Sequence, residues 1–364
     1  MAINASNVSA GAALEVLHAG WAAQQAGELT TSWMLHGRPG VGKTDIIQQL
    51  AIEVGAELFD LRLTTIEPQD LRGLPFYDHE ARKTVWYRPE DLPDRDSPAI
   101  LFLDELTAAA PSLQPTVYGL LQERRVGRHR LPKGVFIVAA GNTVDDGAVA
   151  YEMGTALSDR LVHIVVRADA DDWLKTYAPK AGIHPTVAAF LRTRPDLLET
   201  TEAALRRGDA VACTPRAWSR VSLIMDMTVS RATRHIMIAG TLGEAVAAEF
   251  VLMADEIAAT VQIDAMLASS RAERAELYPR TLHGLTALIY GLVGAVDEVS
   301  AAVGIEILND LRSLERRGVP VAELATFGFE LLIARAMDRG WQEVFAASDA
   351  YADYARERAA AGLP

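Results

Sequence analysis

The chain is poor in several things that mark whole protein classes. It has one cysteine, Cys213, in 364 residues. One thiol cannot close an internal disulfide or build a multi-cysteine zinc site, and it fits a reducing compartment. The eight histidines form no HExxH pattern and no Cys/His cluster, so no zinc site is expected. Long hydrophobic runs are missing too. The longest apolar stretch, around Gly284–Val296, is too short and too glycine-punctuated to span a bilayer. The opening residues, MAINASNVSA, hold no basic segment leading into an apolar one, so no secretory signal is read there. Positive charge is in deficit: 35 Lys and Arg face 48 Asp and Glu, a net −13. That balance repels a polyphosphate backbone and disfavours nucleic-acid binding across the surface. A soluble cytoplasmic protein is the expectation.

Apolar residues, in contrast, are plentiful. They make up 50% of the chain against 23% charged, enough for two or three packed units. The first half alternates short apolar strands with amphipathic helices, which predicts an α/β domain with a largely parallel sheet. The strands read as Ser32–Gly37, Leu58–Leu63, Ala99–Asp104, Gly134–Ala140 and Leu161–Val166. One helix reads as starting near Pro111, with Leu113, Val117, Leu120 and Leu121 on its core face. Two connections carry extra material. Leu74–Tyr87 has aromatic pairs at its ends, and Arg125–Lys133 is basic with Gly127 inside; both read as β-hairpins. After Val166 only helices are read, with Asp169, Asp171 and Asp172 as candidate caps and a terminal helix ending at Gly362.

The run Gly37-Arg38-Pro39-Gly40-Val41-Gly42-Lys43-Thr44 fits G-x-x-x-x-G-K-[ST], with a strand leading in and a helix leading out. Glycines let backbone N–H groups turn around phosphate oxygens, and the following helix aims its positive end at them. Lys43 is the residue to reach the β- and γ-phosphates, and Thr44 the hydroxyl for Mg²⁺. Ile100-Leu101-Phe102-Leu103 is an apolar strand ending in Asp104 and Glu105. Asp104 is expected in the Mg²⁺ shell, and Glu105 is expected to orient and deprotonate water. Asn142, after the strand VFIVAAG, is a candidate to hold that water or the γ-phosphate. Arg160 closes the segment ALSDR, and Arg216 lies in the first turn after a Thr214 cap and Pro215. A cation in a first turn is disfavoured unless an anion lies nearby, which a nucleotide phosphate would supply.

Taken in order, GRPGVGKT, ILFLDE, AAGN, ALSDR and TPRAW resemble the AAA+ ATPases, and among them the MoxR-like group, over roughly residues 10–225. The two hairpins resemble that group's helix-2 insert and pre-sensor hairpin. The resemblance implies a P-loop sheet core over residues 1–170, an α-helical lid over 171–228 and a helical extension over 229–364. It implies ATP and Mg²⁺ as ligands, with Lys43 and Thr44 in Walker A, Asp104 and Glu105 in Walker B, and Asn142 as sensor 1. Arg160 then resembles an arginine finger and Arg216 sensor 2. It further implies a homo-hexameric ring that remodels a client protein beside a separate partner with a von Willebrand factor A domain. Two alternatives stay open at this stage, a nucleotide-gated switch and the motor subunit of a metal chelatase.

Overall fold

Apolar strands with no polar face need cover on both sides, and the first half of the chain supplies it. The computed structural model describes residues 4–142, 158–314 and 319–360. Ala156 and Leu157 of the ALSDR segment, and Gly362, lie outside them. The chain divides into two compact units, Met1–Asp169 and Ala170–Pro364.

The first unit runs β1 (Asn7–Val8), α1 (Ala10–Gln25), β2 (Ser32–His36), α2 (Lys43–Val54), β3 (Glu57–Arg62), α3 (Pro68–Arg72), β4 (Pro75–Asp78) and β5 (Lys83–Trp86). It continues through β6 (Ala99–Asp104), α4 (Gln114–Glu123), β7 (Arg125–Val126), β8 (His129–Arg130), β9 (Phe136–Gly141) and β10 (Leu161–Val166). Six strands form one parallel sheet in the order β1-β10-β2-β9-β6-β3. Every residue of β6 is buried. Ile100 and Phe102 enter one core with Leu17, Ile47 and Leu50, whereas Leu101 and Leu103 enter the other with Val117 and Leu120. Period-two side chains thus feed helices on both faces, as a parallel sheet requires. Because β9 separates β2 from β6, the carboxyl ends of these three strands lie side by side. In open α/β sheets that edge is where ligands bind.

The two hairpins form as read. β4 pairs antiparallel with β5, and β7 with β8. Phe76 and Tyr87 stack on the first, with ring centroids 5.3 Å apart. Three details differ from the sequence reading. The strands Ala99–Asp104 and Leu161–Val166 form as read, the ends of the other three shift by one or two residues, and the two-residue β1 adds an edge to the sheet. The third is the helix expected near Pro111, which begins at Gln114, with Pro115 in its first turn. A helix starting at Pro111 would put Pro115 where its missing N–H breaks the ladder and its ring meets the Pro111 carbonyl.

In the second unit all regular structure is helical among the described residues. Phe190, Trp218 and Phe250 meet with centroids 5.3–5.7 Å apart, and Trp218 Nε1 donates to the Leu197 carbonyl at 2.8 Å. Cys213 is fully buried. Burial pushes its thiol up to about 11, so it stays protonated at neutral pH. The apolar stretch noted above forms the helix Leu282–Ala295, 14 residues buried along most of their length. At 1.5 Å per residue that helix is roughly 21 Å long. No described helix is long and apolar enough to cross a membrane.

Candidate active site

The loop after β2 is shaped by its glycines. A Cβ on Gly37 would sit 2.7 Å from the Val166 carbonyl oxygen, so a side chain is excluded there. Gly42 takes φ 103° and serves as the N-cap of α2, a backbone that L side chains rarely adopt. Pro39 is exposed on the rim, Arg38 and Gly42 are half-buried, Gly40 is buried and Val41 is packed into the core. The loop therefore delivers the N-terminus of α2 to the carboxyl edge of the sheet, where helix N–H groups favour an anion.

Lys43 is only 9% exposed. Its Nζ donates to the Gly37 carbonyl at 2.5 Å, the Arg38 carbonyl at 3.1 Å and Asn142 Oδ1 at 3.0 Å. Asn142 directly follows β9, and its backbone N–H donates to Thr107 Oγ1 at 3.0 Å. Thr107 also explains Gly141, where a Cβ would meet Thr107 Oγ1 at 2.6 Å. One buried hydroxyl thus fixes where the Asn142 amide sits relative to the ammonium.

Asp104 ends β6 and is 7% exposed. Thr44 Oγ1 donates to its Oδ2 at 3.4 Å, and the Glu105 N–H donates to its Oδ1 at 2.8 Å. Asp60, on the adjoining β3, has its carboxyl raised above the usual carboxylate range. Loss of surrounding water is the larger cause and the Asp104 charge the next, with Arg62 opposing. Glu105 turns out of the strand in the left-handed region (φ 58°, ψ 34°). Its Oε2 accepts a short hydrogen bond from Thr64 Oγ1, and Arg62 Nε lies 3.9 Å from its Oε1.

The sheet edge therefore brings Lys43, Thr44, Asp104, Glu105 and Asn142 together. Thr64, Arg62 and Thr107 join them without having been singled out from the sequence. Arg160 is exposed and directly precedes β10, whose first residue Leu161 pairs with Ser32, the first residue of β2. It stands at the far edge of the sheet, roughly 16 Å from its own phosphate loop at about 3.3 Å per strand residue. Arg216 is exposed in the first turn of the helix Pro215–Met225 in the second unit. Thr214 Oγ1 caps that helix by accepting from Ala217 N at 3.1 Å.

The donor set suits a magnesium nucleotide. A hydroxyl and a carboxylate, Thr44 Oγ1 and Asp104 Oδ2, converge at hydrogen-bond distance, and both are the hard oxygen ligands that Mg²⁺ takes. The acceptors on Lys43 Nζ include the Gly37 and Arg38 carbonyls and Asn142 Oδ1, all neutral oxygens. A phosphate oxygen can replace one of these neutral acceptors, and the ammonium then faces the negative charge it brings.

Residues 32–161 match the family described as AAA domain (dynein-related subfamily). Among curated proteins, the chain is similar to ATPase family gene 2 protein homolog B of Mus musculus, 35% identical over 114 residues. That match takes in 31% of this chain and 13% of the mouse protein. The Homo sapiens counterpart is 38% identical over 78 residues, covering 21% of this chain and 10% of its own length. The chain thus spans only about an eighth of the curated relatives it matches. Among solved structures, a RuvB Holliday junction branch migration motor of Thermotoga maritima aligns over 91% of this chain and 87% of its own, at 16% identity and a TM-score of 0.37. NtrX from Brucella abortus aligns over 74% and 67%, at 16% identity and a TM-score of 0.35. Likenesses that distant assign no function. With the phosphate loop, the paired acids and the sheet order in view, residues 32–161, which match the AAA domain family, have the P-loop NTPase fold of the AAA+ type.

Proposed function

We propose that this chain is a MoxR-like AAA+ subunit that hydrolyses Mg-ATP in a homo-hexameric ring and uses the cycle to remodel a client protein. A separate protein with a von Willebrand factor A domain is the proposed adaptor. Residues 171–228 serve as the lid, and residues 229–364 extend it. The observation that carries the hydrolytic reading is the hydrogen-bonded set Lys43–Asn142 and Thr44–Asp104–Glu105 at one sheet edge.

In this reading Lys43 exchanges one of its acceptors for a β- or γ-phosphate oxygen and neutralises charge there. The Asn142 amide, held by Thr107, orients the γ-phosphoryl group or the water beside it. Glu105 takes a proton from that water as its oxygen bonds to the γ-phosphorus and the bond to the ADP oxygen breaks, giving ADP and inorganic phosphate. Thr44 and Asp104 would hold Mg²⁺, which spreads the charge of the β- and γ-oxygens. Arg216 is the proposed sensor 2 arginine.

Arg160 stands a strand's length from its own loop, which supports a role at the neighbouring subunit's γ-phosphate and hence a ring. The test is complementation. Glu105→Gln should bind ATP and turn it over about 10²–10⁴-fold more slowly. Arg160→Ala should be similarly inactive, and mixing the two should restore activity, since an interface where the Arg160→Ala subunit supplies Glu105 and the Glu105→Gln subunit supplies Arg160 is intact. No gain on mixing would refute the shared site. Normal turnover in Glu105→Gln would refute the base.

A further inference from the structure

Two histidines lie between the phosphate loop and the Arg160 turn. His36 is the last residue of β2, directly before Gly37, and is 1% exposed. Its register partner on β10 is Val165, and His163 lies two residues back on the same face. The rings stack with centroids 5.1 Å apart, and His36 Nε2 is 2.8 Å from His163 Nδ1. His163 Nε2 in turn lies 2.9 Å from the Ser158 carbonyl oxygen and 3.1 Å from Ser158 Oγ. A carbonyl only accepts, so His163 Nε2 carries a proton. In the neutral ring Nδ1 is then bare and takes its hydrogen bond from His36 Nε2–H. The donors run one way, from His36 to His163 to Ser158, and Ser158 is two residues before Arg160. The chain of bonds therefore joins the two ends of the sheet that the nucleotide reaction needs: the loop of one site and the arginine offered to the next.

We infer that His163 is a positioning residue for Arg160, and that the His36–His163 pair transmits the seating of a subunit's own phosphate loop to the arginine it presents to its neighbour. Gly37, covalently next to His36, accepts from Lys43 Nζ. When Lys43 turns to a phosphate, the Gly37 carbonyl loses that donor, and His36 is the first side chain to register the change. Packing alone would not need these nitrogens, because phenylalanine fills the same stacked space. The inference rests on Arg160 acting in trans.

The experiment uses full-length protein and the complementation assay. Arg160→Ala subunits are mixed with donors carrying Glu105→Gln alone, or Glu105→Gln with His163→Phe. The donor's own site is inactive, so the recovered ATPase rate reports only how well its arginine is presented. The double variant should rescue about tenfold less, while His163→Phe binds a fluorescent ATP analogue within about twofold of the parent. His163→Gln, whose amide N–H can still reach the Ser158 carbonyl, should recover most of the rescue. Equal rescue by both donors overturns the relay and leaves the trans arginine standing. A loss of rescue matched by an equal loss of ATP affinity also overturns it, because it marks general damage. Failure of the Glu105→Gln donor itself removes the trans arginine, and the relay with it.

Discussion

Glu105 adopts a backbone that glutamate rarely takes, and its surroundings explain how it is kept there. The left-handed region costs a residue with a Cβ roughly 1–2 kcal/mol. Against that, the Glu105 N–H is held by the Asp104 carboxylate, and Thr64 and Arg62 clasp the side chain. Thr64 directly follows Leu63 after β3, and its hydrogen bond ties the Glu105 carboxylate toward that strand. Thr64→Val should therefore raise ATPase turnover in the absence of a client. Losing a hydrogen bond of about 1 kcal/mol corresponds to about fivefold. Steady-state kinetics decide the point, and unchanged or slower turnover would mean that Thr64 aids Glu105 rather than restrains it. Lys43 and Asp104 were legible in the sequence because fixed spacing and a flanking apolar strand mark them. Thr64 was not. It follows an edge strand with no periodicity to flag it, and only the pairing of β3 with β6, which sets Arg62 opposite Asp104, brings it to the site.

Among the elements, the capped helices of the second unit carry a pH signature. His184 precedes the helix Pro185–Thr193, and its Nδ1 accepts from Thr186 N at 3.2 Å. Burial holds its imidazole below the usual histidine range; Asp226 opposes that and Arg234 adds to it. A histidine whose folded pKa is depressed stabilises fully above its unfolded value, near 6.5. It loses that contribution as pH falls and the unfolded chain takes up the proton first. The urea midpoint of the second unit should fall between about pH 7 and pH 5. His184→Asn keeps a capping side chain without a titrating group and should flatten that fall. Parallel pH profiles for the two proteins would contradict the assignment. The elements themselves were mostly readable. β6 announced itself as an unbroken apolar run, one hairpin by its aromatic ends and the other by its basic run with Gly127 inside. Pro111 misled because two prolines four residues apart both suit a first turn, and only the clash of the second with an established ladder decides between them. The edge strand β1 is two residues long, too short for any alternation to show.

For the whole molecule, the sheet order does more than any single residue. Its interleaving sets the phosphate loop, the acids and Asn142 at one edge and Arg160 at the other. In the proposed ring, a subunit would offer the phosphate loop and acids at one edge and Arg160 at the opposite one. On that proposal the two edges would meet only between copies, and repeated head-to-tail contact closes a ring when the rotation allows it. The order of strands in space could not be read from their order in the chain; it required the pairing. The claim that follows is tested most directly by the particle mass of Glu105→Gln protein, measured by light scattering with and without Mg-ATP. The account predicts a rise from the mass of one chain, or of a small assembly, to about six times the chain mass when Mg-ATP is bound. A single-chain mass under both conditions, with ATP binding confirmed on the same sample, would leave Arg160 without a neighbour and contradict the shared site.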